Sequence, residues 1–180
     1  MLDEAQVIAL IRTGNTDAFA EIIEHYQVPI IRYLYRLTGD YEMAQDLAQD
    51  TFLQAYKGIL KTKSELSFKA WLYRIATNNA LQFRRRKRLL SFIPFADLRK
   101  SDISIVENPA DCAEENMAIK ESLLKVPDEK RTCLVLHFVE GLKYREIAEI
   151  LGVSEDAVRK RVARGSREFQ KAYHRCQEVK

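Results

Sequence analysis

The sequence predicts an all-α protein of two small helical domains joined by a linker. Three observations carry that prediction. Apolar residues recur at helical spacing along most of the 180-residue chain, with no sustained strand alternation. Only six Gly and four Pro punctuate it. One stretch, 91–111 (SFIPFADLRKSDISIVENPAD), holds two of those prolines and no periodicity, and so marks the linker.

In chain order, Thr16 or Asp17 is placed to cap a helix running to about Leu37, with Phe19, Ile22, Ile23 and Tyr26 on one face. Pro29 removes a backbone donor and predicts a break or kink near Gln27 or Val28. Thr38-Gly39-Asp40 stops that helix and starts one over about 41–57. Residues 58–67 (GILKTKSELS) read as a loop, and Phe68 to about Leu90 as a helix with Trp71, Leu72, Ile75 and Leu81 at core spacing. Beyond the linker the pattern gives a helix over about 111–125, stopped by Pro127. A second, capped by Asp128, covers 129–140 and ends at Gly141. A short helix over 144–151 and a long one from Glu155 complete the chain. The expected domains are 1–92 and 110–180, with 93–109 between them.

Composition narrows the class of function. Hydrophobic residues make up 47% and charged residues 31%, enough for packed cores and against a disordered chain. The three cysteines, Cys112, Cys133 and Cys176, lie far apart and fit no metal or disulfide framework, which points to a reducing cytoplasm and no metal. The N-terminus lacks the basic segment of a signal peptide, and no apolar run approaches the ~20 residues of a membrane span. No serine, cysteine or carboxylate constellation accompanies His25, His137 or His174, so neither catalytic residues nor a cofactor are expected.

Charge is segregated. Residues 40–56 carry Asp40, Glu42, Asp46 and Asp50 and no base. Residues 66–90 carry Lys69, Arg74, Arg84, Arg85, Arg86, Lys87 and Arg88 and no acid. Five consecutive bases release counterions on meeting phosphates, although they also suit a solvated helix end. Phe68, Trp71, Tyr73 and Phe83 share that helix, a mixture that fits unstacked bases of a single strand, while core packing explains each ring individually.

Residues 144–164 (YREIAEILGVSEDAVRKRVAR) carry a helix-turn-helix pattern. Ile147, Ala148 and Leu151 form the inner side of a first helix, Gly152 takes the turn and Val153 packs inward. Ser154 caps a second helix whose Val158 and Val162 face the first. Arg159, Lys160, Arg161, Ala163 and Arg164 are left on its other sides, as duplex-DNA binding in a major groove requires.

Nearly the whole chain resembles the extracytoplasmic-function type of RNA polymerase sigma factor, in the sigma-70 family. YEMAQDLAQDTFLQAY (41–56) resembles the segment that docks on core polymerase. FKAWLYRIATNNALQFRRRKR (68–88), with Trp71-Leu72-Tyr73-Arg74-Ile75-Ala76-Thr77-Asn78, resembles the minus-ten melting segment. Residues 127–169 resemble the region that binds the minus-thirty-five element. The resemblance implies that Asp46, Gln49, Asp50 and Phe52 meet core RNA polymerase, and that Arg74, Asn78 and the bases 84–88 meet promoter DNA. It further implies that loop 58–67 captures a flipped non-template base, and that an anti-sigma factor is a partner. Departures fall at Gln45, where the family has Glu, at Gln82 and Phe83, where it often has Asp and Arg, and at Asp156-Ala157, where Gly-Thr is usual. An acid at 156 faces phosphate poorly. Base reading is therefore assigned to Arg159, Lys160 and Arg164, and a phosphate contact to Arg161. The linker, roughly 19 residues, extends to about 60 Å, enough to bridge two elements of one duplex. Two other readings remain at this point: a stand-alone helix-turn-helix repressor or activator, and a DNA recombinase with a C-terminal helix-turn-helix.

Overall fold

The computed structural model describes residues 4–60, 67–90 and 113–178. All regular structure among them is helical, in the order α1 (Glu4–Arg12), a 3₁₀ turn (Thr16–Ala18), α2 (Phe19–Thr38), α3 (Tyr41–Ile59), α4 (Phe68–Leu90), α5 (Ala113–Lys125), α6 (Asp128–Leu134), a π-helical turn (Val135–Val139), α7 (Tyr144–Leu151) and α8 (Glu155–Glu178). The all-α expectation holds. The expected linker 93–109, Cys112 and most of loop 58–67 lie outside the described residues. The described residues form two compact units, one built on α1, α3, α4 and α2 as far as Leu34, the other on Tyr35–Tyr41 and α5–α8.

The first unit is built on helices whose apolar residues recur every three or four positions. On α2, Ile22, Tyr26, Ile30, Tyr33 and Leu34 are buried; on α3, Ala44, Leu47, Ala48, Phe52 and Ala55; on α4, Ala70, Leu72, Tyr73, Ala76 and Ala80. Alanines on the buried faces let backbones approach closely. Contrary to the expected break, α2 runs unbroken through Pro29. The missing hydrogen bond costs the helix about 3 kcal/mol, but Tyr26, Ile30, Tyr33 and Leu34 on either side of the proline are buried. Burial of each such side chain stabilises by roughly 1.5–3 kcal/mol, so packing outweighs the local defect. Helix α1 precedes the first helix expected from sequence; Val7 and Ile11 anchor it, and Tyr26 donates a hydrogen bond to Glu4. Asn15, rather than Thr16 or Asp17, caps the 3₁₀ turn before α2, accepting from the Ala18 amide at 3.3 Å.

A buried polar network crosses the same core. Asn79 on α4 donates to the Thr51 hydroxyl on α3 at 3.2 Å and accepts from the Gln54 amide at 3.0 Å. The Thr51 hydroxyl donates back to the Leu47 carbonyl at 2.7 Å. Tyr33 and Thr77 share a hydrogen bond of 2.7 Å between α2 and α4. Such a network fixes the register of α3 against α4, because a slip leaves buried groups unsatisfied. Asn79→Ala is expected to lower unfolding stability by about 1–3 kcal/mol in urea titration; a change near zero would mean the network carries no net stability.

In the second unit, α8 is the central helix. Val158, Val162, Gly165 and Ala172 lie on its buried side. Gly165 sits where α6 crosses closely: a Cβ there would lie 3.1 Å from Leu134 and 3.2 Å from the Cβ of Lys130. Helix α6 begins at Asp128 itself, with no side-chain cap, and gives way to the π turn, where the Glu140 amide reaches the Val135 carbonyl at 3.0 Å. The expected continuous helix over 129–140 is thus two segments. Arg131 is buried and paired with Asp128 at 2.5 Å. Burial pushes the Cys133 thiol up to about 11, against the pull of nearby Arg161, whereas Cys176 is half-buried. Since the thiolate is the nucleophile, iodoacetamide at about pH 8 is expected to label Cys176 well before Cys133, as peptide mapping would show; equal labelling would contradict the burial.

Candidate nucleic-acid and polymerase interfaces

On α3 the exposed residues form a stripe. Asp46, Gln49 and Asp50 are all exposed, and their spacing puts them on one face. Phe52 does not join them: it is buried, 7% exposed, and turned into the core. The exposed apolar residue on that face is Leu53, 57% exposed. It stands seven positions from Asp46, which is two helical turns. A repeat of 46, 49, 50, 53 is present in the sequence, but the family motif draws attention to the aromatic neighbour instead.

On α4 the exposed stripe is Arg74, Asn78, Gln82 and Arg85. Its span is about 16 Å at 1.5 Å per residue. The block 84–88 does not add to one face, because consecutive helical residues are about 100° apart. Arg85, Arg86, Lys87 and Arg88 are exposed on different sides and Arg84 is half-buried. Among the aromatics, Phe68 and Tyr73 are buried, Tyr73 against Tyr33 with ring centroids 5.0 Å apart. Trp71 is half-buried against Phe68, and Phe83 is half-buried. These two are the rings of the helix that keep exposed surface.

Helices α7 and α8 form a helix-turn-helix. Gly152 occupies the left-handed region at φ 64°, as the turn demands. The Val153 amide closes the turn on the Ala148 carbonyl at 3.1 Å, and the Ala157 amide donates to the Ser154 hydroxyl at 3.2 Å, the expected cap. Ile147, Ala148 and Ile150 are the buried residues of α7; Leu151 and Val153, expected to point inward, are half-buried. Ile147 and Val158 are fully buried.

The outer side of α8 carries Lys160, Arg164, Arg167 and Lys171 in line, all exposed. Arg167 and Lys171 lie beyond the end of the helix-turn-helix motif and were not among the expected site residues, although the period of four and three continues through them. Arg161 sits apart from them, half-buried and paired with Glu129 of α6 at 2.9 Å. With Lys130–Glu168 at 2.5 Å it ties α6 to α8. Arg159 flanks the outer stripe, paired with Glu155 at 2.5 Å and lying over the Tyr144 ring at 5.2 Å. Its hydrogen bond to Glu155 and the charge of that carboxylate raise its pKa further. No group of His, Cys, Asp and Glu among the described residues could hold a metal ion, and no described helix is long and apolar enough to cross a membrane.

Comparison with known proteins resolves the family. The model of sigma-70 region 2 matches residues 22–89, and that of sigma-70 region 4 matches 116–168. The ECF RNA polymerase sigma factor SigW of Bacillus subtilis (strain 168) is 32% identical over 175 residues, covering 91% of this chain and 93% of that protein. The chain belongs to the sigma-70 family of RNA polymerase sigma factors, in its ECF branch. The RNA polymerase sigma factor YlaC of the same organism is 30% identical over 164 residues, covering 87% of this sigma factor and 92% of its own length. Among solved structures, the sigma factor RpoE of Bartonella quintana, crystallised with the anti-sigma factor NepR, matches with a TM-score of 0.71 at 21% identity. The match spans 86% of this sigma factor and 95% of that chain, a likeness of fold. The matched families are transcription initiation factors rather than catalysts.

Proposed function

We propose that this sigma factor binds core RNA polymerase, recognises a minus-thirty-five duplex element and melts the minus-ten element. Residues 1–92 carry polymerase binding and melting, 110–180 carry duplex recognition, and 93–109 link them. The acidic face of α3, with Asp46, Gln49 and Asp50, meets a basic groove of the polymerase, and Leu53 takes the apolar role that the family motif suggests for Phe52. Arg74, Asn78 and the exposed bases among 84–88 hold the non-template strand along α4, with Trp71 or Phe83 offering a stacking surface. Unpairing a base costs a few kcal/mol, and binding of the single strand offsets it without ATP. Arg159, Lys160 and Arg164 read the duplex, while Arg167 and Lys171 extend the grip on phosphate. Arg161, already held by Glu129, contributes less at the DNA than at the α6–α8 junction.

The observation that carries this reading is the basic outer line of α8 on a capped helix-turn-helix, in a chain of this family. That line alone suits a stand-alone repressor equally well; the separate acidic and basic stripes of α3 and α4, which a repressor does not need, favour a sigma factor. An anti-sigma partner and a cytoplasmic location are part of the proposal. Run-off transcription with core polymerase on a genomic fragment library tests it. Discrete starts that require this chain support the reading, and their absence together with no binding to core polymerase rejects it.

A further inference from the structure

Arg159 is one of the three α8 bases assigned above to reading the duplex, yet other side chains already hold it. Its Nη2 meets the Glu155 carboxylate one helical turn earlier, at 2.5 Å. Its guanidinium lies over the ring of Tyr144, on α7, with 5.2 Å to the centroid. Tyr144 is itself stacked on His137, with centroids 4.3 Å apart and an interplanar angle of 27°. The His137 ring nitrogen Nδ1 in turn lies 3.1 Å from the Leu142 carbonyl. The series runs from the π turn through α7 to α8: His137, Tyr144, Arg159.

The arrangement leaves Arg159 available while restricting where it points. A guanidinium has five N–H donors. The ion pair engages Nη2 and the ring covers one face, so the remaining donors along its edge stay open, and 59% of the side chain is exposed. An unrestrained arginine samples many rotamers and meets phosphate or base edge indifferently. One whose plane is set by a carboxylate and a ring offers its edge in one direction, which favours the bidentate pairing with guanine N7 and O6 over a loose phosphate contact. Glu155 also repels phosphate, which penalises a swing of Arg159 toward the backbone.

We infer that Tyr144 and Glu155 are positioning residues that make Arg159 a selective reader of one base pair in the upstream duplex. This rests on the reading that α8 enters DNA. Neither residue needs to touch the duplex, so their main effect is on discrimination between base pairs, with Glu155 also weakening non-specific binding through its charge.

The experiment uses the full chain assembled with core RNA polymerase. Preferred upstream duplexes are selected from a randomised library, and competition binding is then measured on every single-base-pair change of the selected site. Arg159→Ala identifies the base pair that Arg159 reads. Tyr144→Leu and Glu155→Gln are expected to lose roughly tenfold discrimination at that same base pair and little elsewhere, while Tyr144→Phe keeps it, since the ring remains. Glu155→Gln is also expected to bind random-sequence duplex more tightly than the parent. Full discrimination retained by both Tyr144→Leu and Glu155→Gln overturns the inference. Should Tyr144→Leu fail to fold, as thermal melting would show, Glu155→Gln decides alone, because Glu155 is at the surface. If the parent selects no sequence, or Arg159→Ala changes no preference, the DNA reading of α8 at Arg159 fails first, and the inference falls with it for that separate reason.

Discussion

Promoter-dependent transcription by polymerase carrying Arg159→Ala together with Arg164→Ala is expected to fall about a hundredfold, with core polymerase binding unchanged. A good bidentate pairing with a base is worth about 1–3 kcal/mol of discrimination, and about 1.4 kcal/mol is a factor of ten. If both arginines read bases as proposed, deleting them removes two such pairings, which multiplies to about two decades. Both side chains are exposed on α8. Their removal leaves Val158 and Val162 in place and the cap at Ser154 intact, so the fold should survive with little change in melting temperature. Arg161→Ala makes the contrast: it deletes the pair with Glu129 and should register first as a fall in stability. Arg167→Ala should weaken binding to all sequences alike and lower the salt slope by about one. An equal fall in polymerase affinity for the Arg159 and Arg164 double variant would show that α8 is not a dedicated DNA element.

Much of this fold was legible because helix ends carry strong local chemistry. The bounds of α4, Phe68–Leu90, and the turn at Gly152 follow from periodicity and from the single residue type that takes positive φ without strain. What was not legible depended on tertiary packing. Pro29 sits inside α2 because burial around it outweighs a defect that is severe only in an isolated helix. The π turn at Val135–Val139 inserts a residue into a pattern that otherwise reads as one helix, and it leaves Phe138 and Val139 exposed.

The candidate sites divide the same way. The acidic and basic segments are visible directly in the sequence, since charge is a property of sequence alone. Which charge shares a face, and which is already paired, is a property of the fold. Arg161 resembles its neighbours in sequence, yet the approach of α6, permitted by Gly165, places Glu129 within 2.9 Å of it. Five consecutive bases look like one patch in a string of letters and become a collar around a helix at about 100° per residue.

The acidic face of α3 carries the second large expected effect. Asp46→Ala with Asp50→Ala should lower affinity for core polymerase by about ten- to a hundredfold, measured by competition against the parent chain, with the intrinsic duplex binding of α8 unaffected. Both carboxylates are exposed and one turn apart. In water such charges contribute little. Once pressed against a basic partner and desolvated, each leaves an unpaired cation behind when it is removed, at a cost of about 2 kcal/mol or more. The salt dependence of assembly should flatten in the double variant, because the long-range attraction goes with the charges. Leu53→Ser tests the apolar part of the same face and should weaken assembly without lowering the melting temperature. Phe52→Ala, by contrast, opens a cavity in a core where Phe52 is 7% exposed, and should cost about 3–5 kcal/mol of stability. The pair of outcomes separates a polymerase surface from the core behind it. Unchanged affinity in the Asp46 and Asp50 double variant would remove α3 from the interface, even if Phe52→Ala abolished assembly by unfolding the unit.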